Sequence, residues 1–411
     1  MVRQSYSKPS NLYLSGGDSV IKSREGVQQG DPLGPFLFSL GILNIMSACE
    51  SETKVFYLDD GTLCGDPDTV LDDFSRLIQD SETLGLMVNA GKCELYFTNK
   101  AETEENLTKQ ASILERFQEL APTIKVLKDE TLTLLGAPIM DEAGEEVFRS
   151  KLEDLRRMGE RLDQIDSHDA LFLLRFCFSI PKVTYFLRTA PFFQHTDILG
   201  LYDEELRSIL QKVLNVDLRG DVWTQCTLPI SNGGLGIRMA SDISLPAFLS
   251  SSYGSTISSQ GLLPEDQRDQ PYRMREEAET KWKETVGNNN EDIPLPEDLS
   301  TQAEWDTPLV KLKYDQLVEH CGNREDKARL LAVAAEHASD WLNARPDPNL
   351  GLKMDNNSVR VACGLRLGTS LCQSHNVVQK WTNLDVTVLA ASGLMVGILD
   401  TPKQTSSSRK P

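Results

Sequence analysis

The 411-residue chain is short of positive charge, with 42 Lys and Arg against 61 Asp and Glu and a formal net charge of −19. Proteins that grip nucleic acid over a broad surface carry a basic footprint, because neutralised phosphates supply most of the affinity. This balance excludes such a surface and leaves room only for a local basic groove. The eight cysteines show no repeated short spacing. That argues against a disulfide scaffold and suits reduced thiols in a nuclear or cytoplasmic protein that is not secreted. No apolar core follows Met1-Val2-Arg3-Gln4-Ser5-Tyr6, so the start does not read as a signal peptide. Long hydrophobic runs are lacking too. The most apolar one, Val386 to Leu399, is flanked by Asp385 and Asp400 and, at about 14 residues, is too short to span a bilayer. No internal repeat is found.

Hydrophobic residues make up 40% and charged residues 25%, which is enough for a packed core. The length predicts two to three domains. Residues 11 to 23 read as a β-hairpin turning at Gly16-Gly17. An apolar helix is expected from Phe36 to Met46, with Pro35 in its first turn. Lys54 to Leu58 reads as a strand running into a hairpin with Asp59-Asp60-Gly61 at its tip. Helical spacing covers about Thr69 to Leu84, closed by Gly85, and Cys93 to Thr98 returns as a strand. Residues 101 to 120 read as a largely solvent-facing helix and Thr131 to Ile139 as a short hairpin. Helical patterns follow over Leu171 to Phe178, Ile198 to Val213 and Leu309 to Leu342. Residues 261 to 306 carry 13 acidic against 5 basic residues and read as an exposed connection, partly helical near Glu276 to Thr285.

The adjacent acids at the hairpin carry the chemistry. Like charges a few ångströms apart disfavour one another unless a cation relieves them. Their hard oxygens suit Mg²⁺. In two-metal phosphoryl transfer the ions sit roughly 3.5–4 Å apart, one on the attacking and one on the leaving oxygen. Strand alternation would send Asp59 and Asp60 to opposite faces, so the turn must bring at least one back. Asp-Asp-Gly is equally an ordinary hairpin turn, and the flanking motifs decide between the two.

Gly26-Val27-Gln28-Gln29-Gly30-Asp31-Pro32-Leu33-Gly34-Pro35-Phe36-Leu37-Phe38 resembles the template- and nucleotide-contacting motif of non-LTR retrotransposon reverse transcriptases. Phe56-Tyr57-Leu58-Asp59-Asp60-Gly61 is similar to their catalytic hairpin. Leu84-Gly85-Leu86 with Asn89-Ala90-Gly91-Lys92-Cys93-Glu94 resembles the next motif, and Leu134-Leu135-Gly136-Ala137-Pro138-Ile139 the primer-grip hairpin. The resemblance implies an RNA-directed DNA polymerase using two Mg²⁺ ions, with an RNA template and a DNA primer as partners. It makes Asp59 the principal metal ligand with Asp60 beside it. Gln29 and Gly30 would line the nucleotide and template site, and Tyr57 would support the primer end. Lys92 would lie near the triphosphate, where a cation stabilises the departing pyrophosphate. Leu135 and Gly136 would position the primer.

The implied fold is α+β: a partial palm over 1–145, without fingers or the first palm strand, and a helical thumb over 146–258. An acidic exposed linker over 259–308, a mostly helical region over 309–400 and a disordered tail over 401–411 complete it. In the family, the first catalytic aspartate precedes the Gln29-Gly30 motif. Here Asp18 alone stands there, in a turn context, so the chain is expected not to polymerise by itself. The thumb resemblance covers Arg175 to Pro191. Leu228-Pro229-Ile230-Ser231-Asn232-Gly233-Gly234-Leu235-Gly236-Ile237-Arg238 resembles a further segment of the same elements. Gly234-x-Gly236 lacks the third glycine of a dinucleotide loop. Cys372-x-x-His375 offers two ligands where a closed zinc site needs four, and Asp385 reads as an endonuclease relic. The alternative function is a non-catalytic RNA- or protein-binding remnant, in which Arg175, Lys182 and Arg188 would meet RNA.

Overall fold

The computed structural model describes residues 2, 6–14, 19–261, 272–287 and 301–369. The chain falls into two compact units that divide after Lys128. Helices outweigh strands, and the strands pair only two at a time, the mixture of an α+β chain.

In the first unit, β1 (Ser10–Tyr13) and β2 (Val20–Ser23) pair antiparallel with Tyr13 opposite Val20. The Gly16-Gly17 turn and Asp18 lie outside the described residues. Helix α1 (Gly34–Ser47) starts with proline in its first turn, as expected. β3 (Thr53–Tyr57) and β4 (Asp60–Cys64) form the acidic hairpin. Helix α2 (Pro67–Thr83) is capped by the Asp66 carboxylate, which accepts from the Asp68 and Thr69 amides at 3.0 and 3.4 Å. It stops at Gly85, whose φ is +76°, with the Leu86 amide bonded back to the Ser81 carbonyl at 2.9 Å. The strand expected over 93–98 is shorter: β5 (Glu94–Leu95) pairs parallel with β6 (Lys125–Val126). Helix α3 (Glu104–Leu120) is largely solvent-facing, as expected, and buries Ile113 and Phe117, one turn apart, against Val70, Leu71 and Phe74 of α2.

The second unit opens with a hairpin of β7 (Thr133–Leu134) and β8 (Ala137–Pro138). Helices α4 (Asp141–Leu162), α5 (Ser167–Leu173), α6 (Thr184–Thr189), α7 (Thr196–Leu214), α8 (Asp221–Thr227) and α9 (Ala240–Gln260) follow. Their shared core buries Phe148, Leu155, Leu174, Leu187, Leu206 and Leu210, each contributing about 1.5–3 kcal/mol. The stretch Ser167–Thr189 is long and apolar enough to cross a membrane by composition. In this fold it sends Leu171, Leu174, Val183 and Leu187 into that core.

The acidic stretch is helical near 276–285, as expected, and it buries two tryptophans. Helix α10 (Arg273–Val286) buries Trp282 and α11 (Gln302–Glu319) buries Trp305. The two rings meet edge to face at 5.0 Å, and Trp282 Nε1 donates to the Trp305 carbonyl at 2.9 Å. Glu276, Glu277 and Glu284 are exposed while two large aromatics supply the burial. The block expected over 309–342 is broken into α11, α12 (Arg324–Val333) and α13 (Asp340–Asn343), and α14 (Asn356–Leu367) follows. Cys372, His375, Asp385, the apolar run 386–399 and the tail 401–411 lie outside the described residues.

The glycine-rich segment 233–236 is a packing knot. A Cβ on Gly234 would overlap the Leu228 carbonyl, and one on Gly236, whose φ is +72°, would sit 2.8 Å from Arg175 Nε. Just beyond, Arg238 makes a two-pronged ion pair with Asp306 at 2.6 and 2.8 Å. Gly234→Ala is therefore expected to destabilise the second unit by about 3 kcal/mol. Gly254→Ala, in helix α9 with open space around the glycine, should stabilise it by about 0.5–1 kcal/mol. Urea unfolding of the two variants checks both signs.

Asp203 on α7 holds the start of α9. Its carboxylate accepts from the Ala240 and Ser241 amides at 2.6 and 3.1 Å and from the Ser241 hydroxyl at 2.6 Å. Burial pushes its pKa up to about 6 against those hydrogen bonds. Between pH 3.8 and about 6 the folded chain thus binds more protons at this site than the unfolded chain, so the contribution to stability declines as pH rises. Relative to Asp203→Asn, the wild type should lose roughly 3 kcal/mol across that window. Unfolding free energies at pH 4, 5, 6 and 7 test this, and a pH-independent difference would refute it.

Candidate functional site

The acidic hairpin is tighter than its sequence suggests. Tyr57 pairs with Asp60 and Phe56 with Gly61. The turn is therefore Leu58-Asp59, and Asp60-Gly61 belong to β4 rather than to the expected Asp-Asp-Gly tip. Gly61 sits in the strand because a Cβ there would come 2.6 Å from the Phe56 ring. Two-residue hairpin turns need positive φ to match strand twist, and here Leu58 supplies it at +58°. A leucine in that region is strained by about 1–2 kcal/mol, a feature that clusters at functional sites.

The turn frees Asp59 from the alternation of the strands, while Asp60 is the first residue of β4. Both carboxylates are exposed and make no hydrogen bond or ion pair among the described residues. Tyr57 beside them is 63% exposed.

A residue that sequence reasoning missed holds this hairpin in place. Asp73 on α2 is 1% exposed. Its carboxylate accepts from the Glu50 amide at 2.8 Å, the Ser51 amide at 2.7 Å and the Ser51 hydroxyl at 2.6 Å. Burial pushes its carboxyl up, but the Ser51 and Glu50 hydrogen bonds outweigh that and leave it below the usual carboxylate range. Lys54 donates to the Cys49 carbonyl and Arg76 to the Ala48 carbonyl. The junction from α1 into β3 is thus clamped from three sides. The available signal was an aspartate on the apolar face of a helix, between Val70, Leu71 and Phe74.

Gln29 and Gly30 form the middle of a turn closed by the Asp31 amide on the Gln28 carbonyl at 3.2 Å, with Gly30 at φ +86°. Positive φ at the third turn position is the type II pattern that selects glycine. Both residues are exposed. Tyr6 braces the turn by donating to the Asp31 carboxylate at 2.5 Å, which lowers the pKa of that carboxyl. Lys92 ends a short 3-10 turn over Ala90–Lys92 and is exposed, with no side-chain partner among the described residues. Leu135 and Gly136, at φ +50° and +79°, form the β7–β8 turn and belong to the second unit. There the Leu135 carbonyl accepts from the Tyr185 hydroxyl at 2.8 Å.

Among the described residues, no group of three or more His, Cys, Asp or Glu is gathered to hold a metal. Asp59 and Asp60 fit Mg²⁺ in donor type, since that ion takes one or two carboxylates and keeps several waters. They underfill a two-metal site. Of the cations expected to meet RNA, Arg175 is already engaged, donating to the Leu342 carbonyl at 2.6 Å and to Asn343 Oδ1 at 2.7 Å. Lys182 is exposed, and Arg188 is half-buried with a 3.2 Å bond to Gln302.

An exposed acid pair on a strained, clamped hairpin defines the class of site: an anionic turn that presents carboxylate oxygens. The chain is similar to the retrotransposable element SLACS 132 kDa protein of Trypanosoma brucei gambiense, with 24% identity over 227 residues. The alignment covers 54% of this chain and 18% of that protein, so the chain spans under a fifth of the relative's length. No family model matches. The similarity supports a retrotransposon origin.

Asp73→Ala should leave two amides at the α1–β3 junction without their acceptor, costing about 2–3 kcal/mol. Amide exchange over 53–64 should then accelerate well beyond that of 104–120, whereas equal acceleration would mean that the clamp is not local. Because its pKa is lowered in the folded state, the Asp73 contribution is complete above the unfolded value and fades as pH falls through the folded one.

Proposed function

We propose that the chain carries the metal-binding hairpin of an RNA-directed DNA polymerase of a non-LTR retrotransposon. The observation that carries this is the pair of unengaged, exposed carboxylates at Asp59 and Asp60 on a strained two-residue turn. The ordered motifs over residues 26 to 139 and the likeness to a retrotransposon protein support it. In this reading residues 1–145 are palm and 146–258 thumb. Asp59 is the principal Mg²⁺ ligand with Asp60 beside it, Gln29 and Gly30 face the nucleotide and template, and Tyr57 supports the primer end. Lys92 meets the triphosphate, and Leu135-Gly136 bear on the primer. The bound metal would activate the attacking hydroxyl and neutralise the leaving pyrophosphate.

Two carboxylates serve one such ion. Template-directed synthesis therefore calls for a third carboxylate beside this pair, and on this reading Asp59 and Asp60 alone do not support primer extension. The alternative is a non-catalytic RNA- or protein-binding remnant, whose RNA contact would draw on Lys182 and Arg188, since Arg175 is engaged within the fold.

The test pairs metal binding with primer extension. Mn²⁺ titration followed by electron paramagnetic resonance should show binding that weakens roughly 100-fold in Asp59→Asn and less in Asp60→Asn. A longer element protein, containing this chain after a segment with a strand aspartate, should extend oligo(dT) on poly(rA) only while Asp59 is intact. Unchanged Mn²⁺ affinity in both variants would discard the site. Primer extension by the 411-residue chain itself would discard the need for a third carboxylate.

A further inference from the structure

We propose that His168 is an acid-sensitive clasp that holds the start of helix α14 against helix α5 and releases it when the ring takes up a proton. The imidazole is 4% exposed. Its Nδ1 accepts the Met354 amide hydrogen at 3.1 Å, which places the ring proton on Nε2. Two further contacts flank it. Lys353 bridges Asp166 and Asp169 at 2.6 and 2.7 Å, and the Ser167 amide donates to Asn356 Oδ1 at 2.7 Å. Residues 353–356 are thus stitched to the first turn of α5 through one imidazole acceptor, one ion-pair bridge and one amide–amide hydrogen bond.

Protonation turns the acceptor into a donor. An Nδ1–H would face the Met354 N–H, leaving two buried donors with no acceptor between them. The surrounding charges oppose one another. Asp169, on the same helix, favours the imidazolium, and Lys353, from the segment packed over it, disfavours it. Burial acts ahead of both and lowers the ring's pKa. The other charged groups nearby are committed. Asp166 is held by Lys353. Asp355 caps its own helix through the Asn357 and Ser358 amides at 2.9 and 3.0 Å. Arg360 on α14 donates to the Val213 carbonyl of α7 at 3.3 Å, and Asp203 on α7 is taken up by Ala240 and Ser241.

The folded-state pKa is lowered, so the clasp is fully closed above the ordinary histidine value of about 6.5 and weakens as pH falls below it. The segment it governs leads into the helix that bears the buried Arg366, whose guanidinium donates to the Ile230 and Gly234 carbonyls at 2.9 and 3.1 Å. Release therefore frees the turn before α14 first, with the arginine anchor as the second barrier.

Amide exchange of the full chain at pH 7.5, 6.5, 5.5 and 5.0, corrected for intrinsic rates, tests this. Protection over 353–358 should fall by up to roughly tenfold per pH unit below about 6.5, while protection over 141–162 holds. In His168→Asn, whose Oδ1 can accept the Met354 hydrogen but cannot titrate, protection should be flat with pH. Equal protection of the wild type at pH 5.0 and 7.5, or the same pH dependence in the variant, would overturn the proposal. If the variant does not fold, the wild-type His168 Cε1–H resonance decides. A ring that titrates while 353–358 stays protected refutes the clasp, and a shared midpoint supports it.

Discussion

A guanidinium cut off from water, with carbonyls and one hydroxyl as its partners, fixes the larger unit. Arg366 is fully buried and donates to the carbonyls of Gly234, Ile230 and Ala338 at 3.1, 2.9 and 3.3 Å and to the Ser339 hydroxyl at 2.7 Å. Burial lowers its pKa to about 10, so it stays charged at neutral pH. A buried charge left without partners costs several kcal/mol. The carbonyls from 230–234 and 338 must therefore arrive together with helix α14. Gly234 allows this, since a Cβ there would strike the Leu228 carbonyl. The Arg366 carbonyl in turn accepts from Gln225 Nε2 at 3.0 Å and from Arg329, which brings helices α8 and α12 into the same knot.

Buried acids are handled in the mirror-image way. Asp73 and Asp203 each take two backbone amides and a serine hydroxyl, and each ties a helix to the start of another element. Both titrate according to the balance between burial and those donors, and the balance falls on opposite sides in the two cases. Asp59 and Asp60 differ from both. They are exposed and have no donor among the described residues. Backbone amides and serine hydroxyls answer these two buried charges, whereas the acid pair on the strained turn has no such partner among the described residues.

Much of this was legible in the sequence. Pro35, Asp66 and Gly85 mark helix boundaries through local stereochemistry, which a linear reading captures. The acidic hairpin was visible, but its register was not. Gly61 invites placement in the turn, whereas it is the Phe56 ring across the strand pair that requires a glycine. In the stretch 259–308 the charge count describes exposed helix faces, and it does not register the two tryptophans that carry the burial. Arg175 looked like a free cation because its acceptors, Leu342 and Asn343, lie more than 160 residues away. Asp73 went unread for the same reason. A buried polar residue declares its role only through partners that folding brings to it.

The net charge of −19 bears on the proposed function in a way that composition alone obscures. Charges further than about 8 Å from a phosphate are largely screened at physiological salt. The remote acids of this chain therefore matter less than those at the point of contact, and there the sign is worst: Asp59 and Asp60 are anionic, as is the nucleic acid they would meet. Nothing in the described structure neutralises them. Only a cation can bring two such anions together. Under the proposed function a divalent ion is thus a condition of the contact as well as a participant in the chemistry. Salt and metal should then act in opposition: added monovalent salt weakens phosphate contacts everywhere, while the divalent ion strengthens the single contact that these two carboxylates can make.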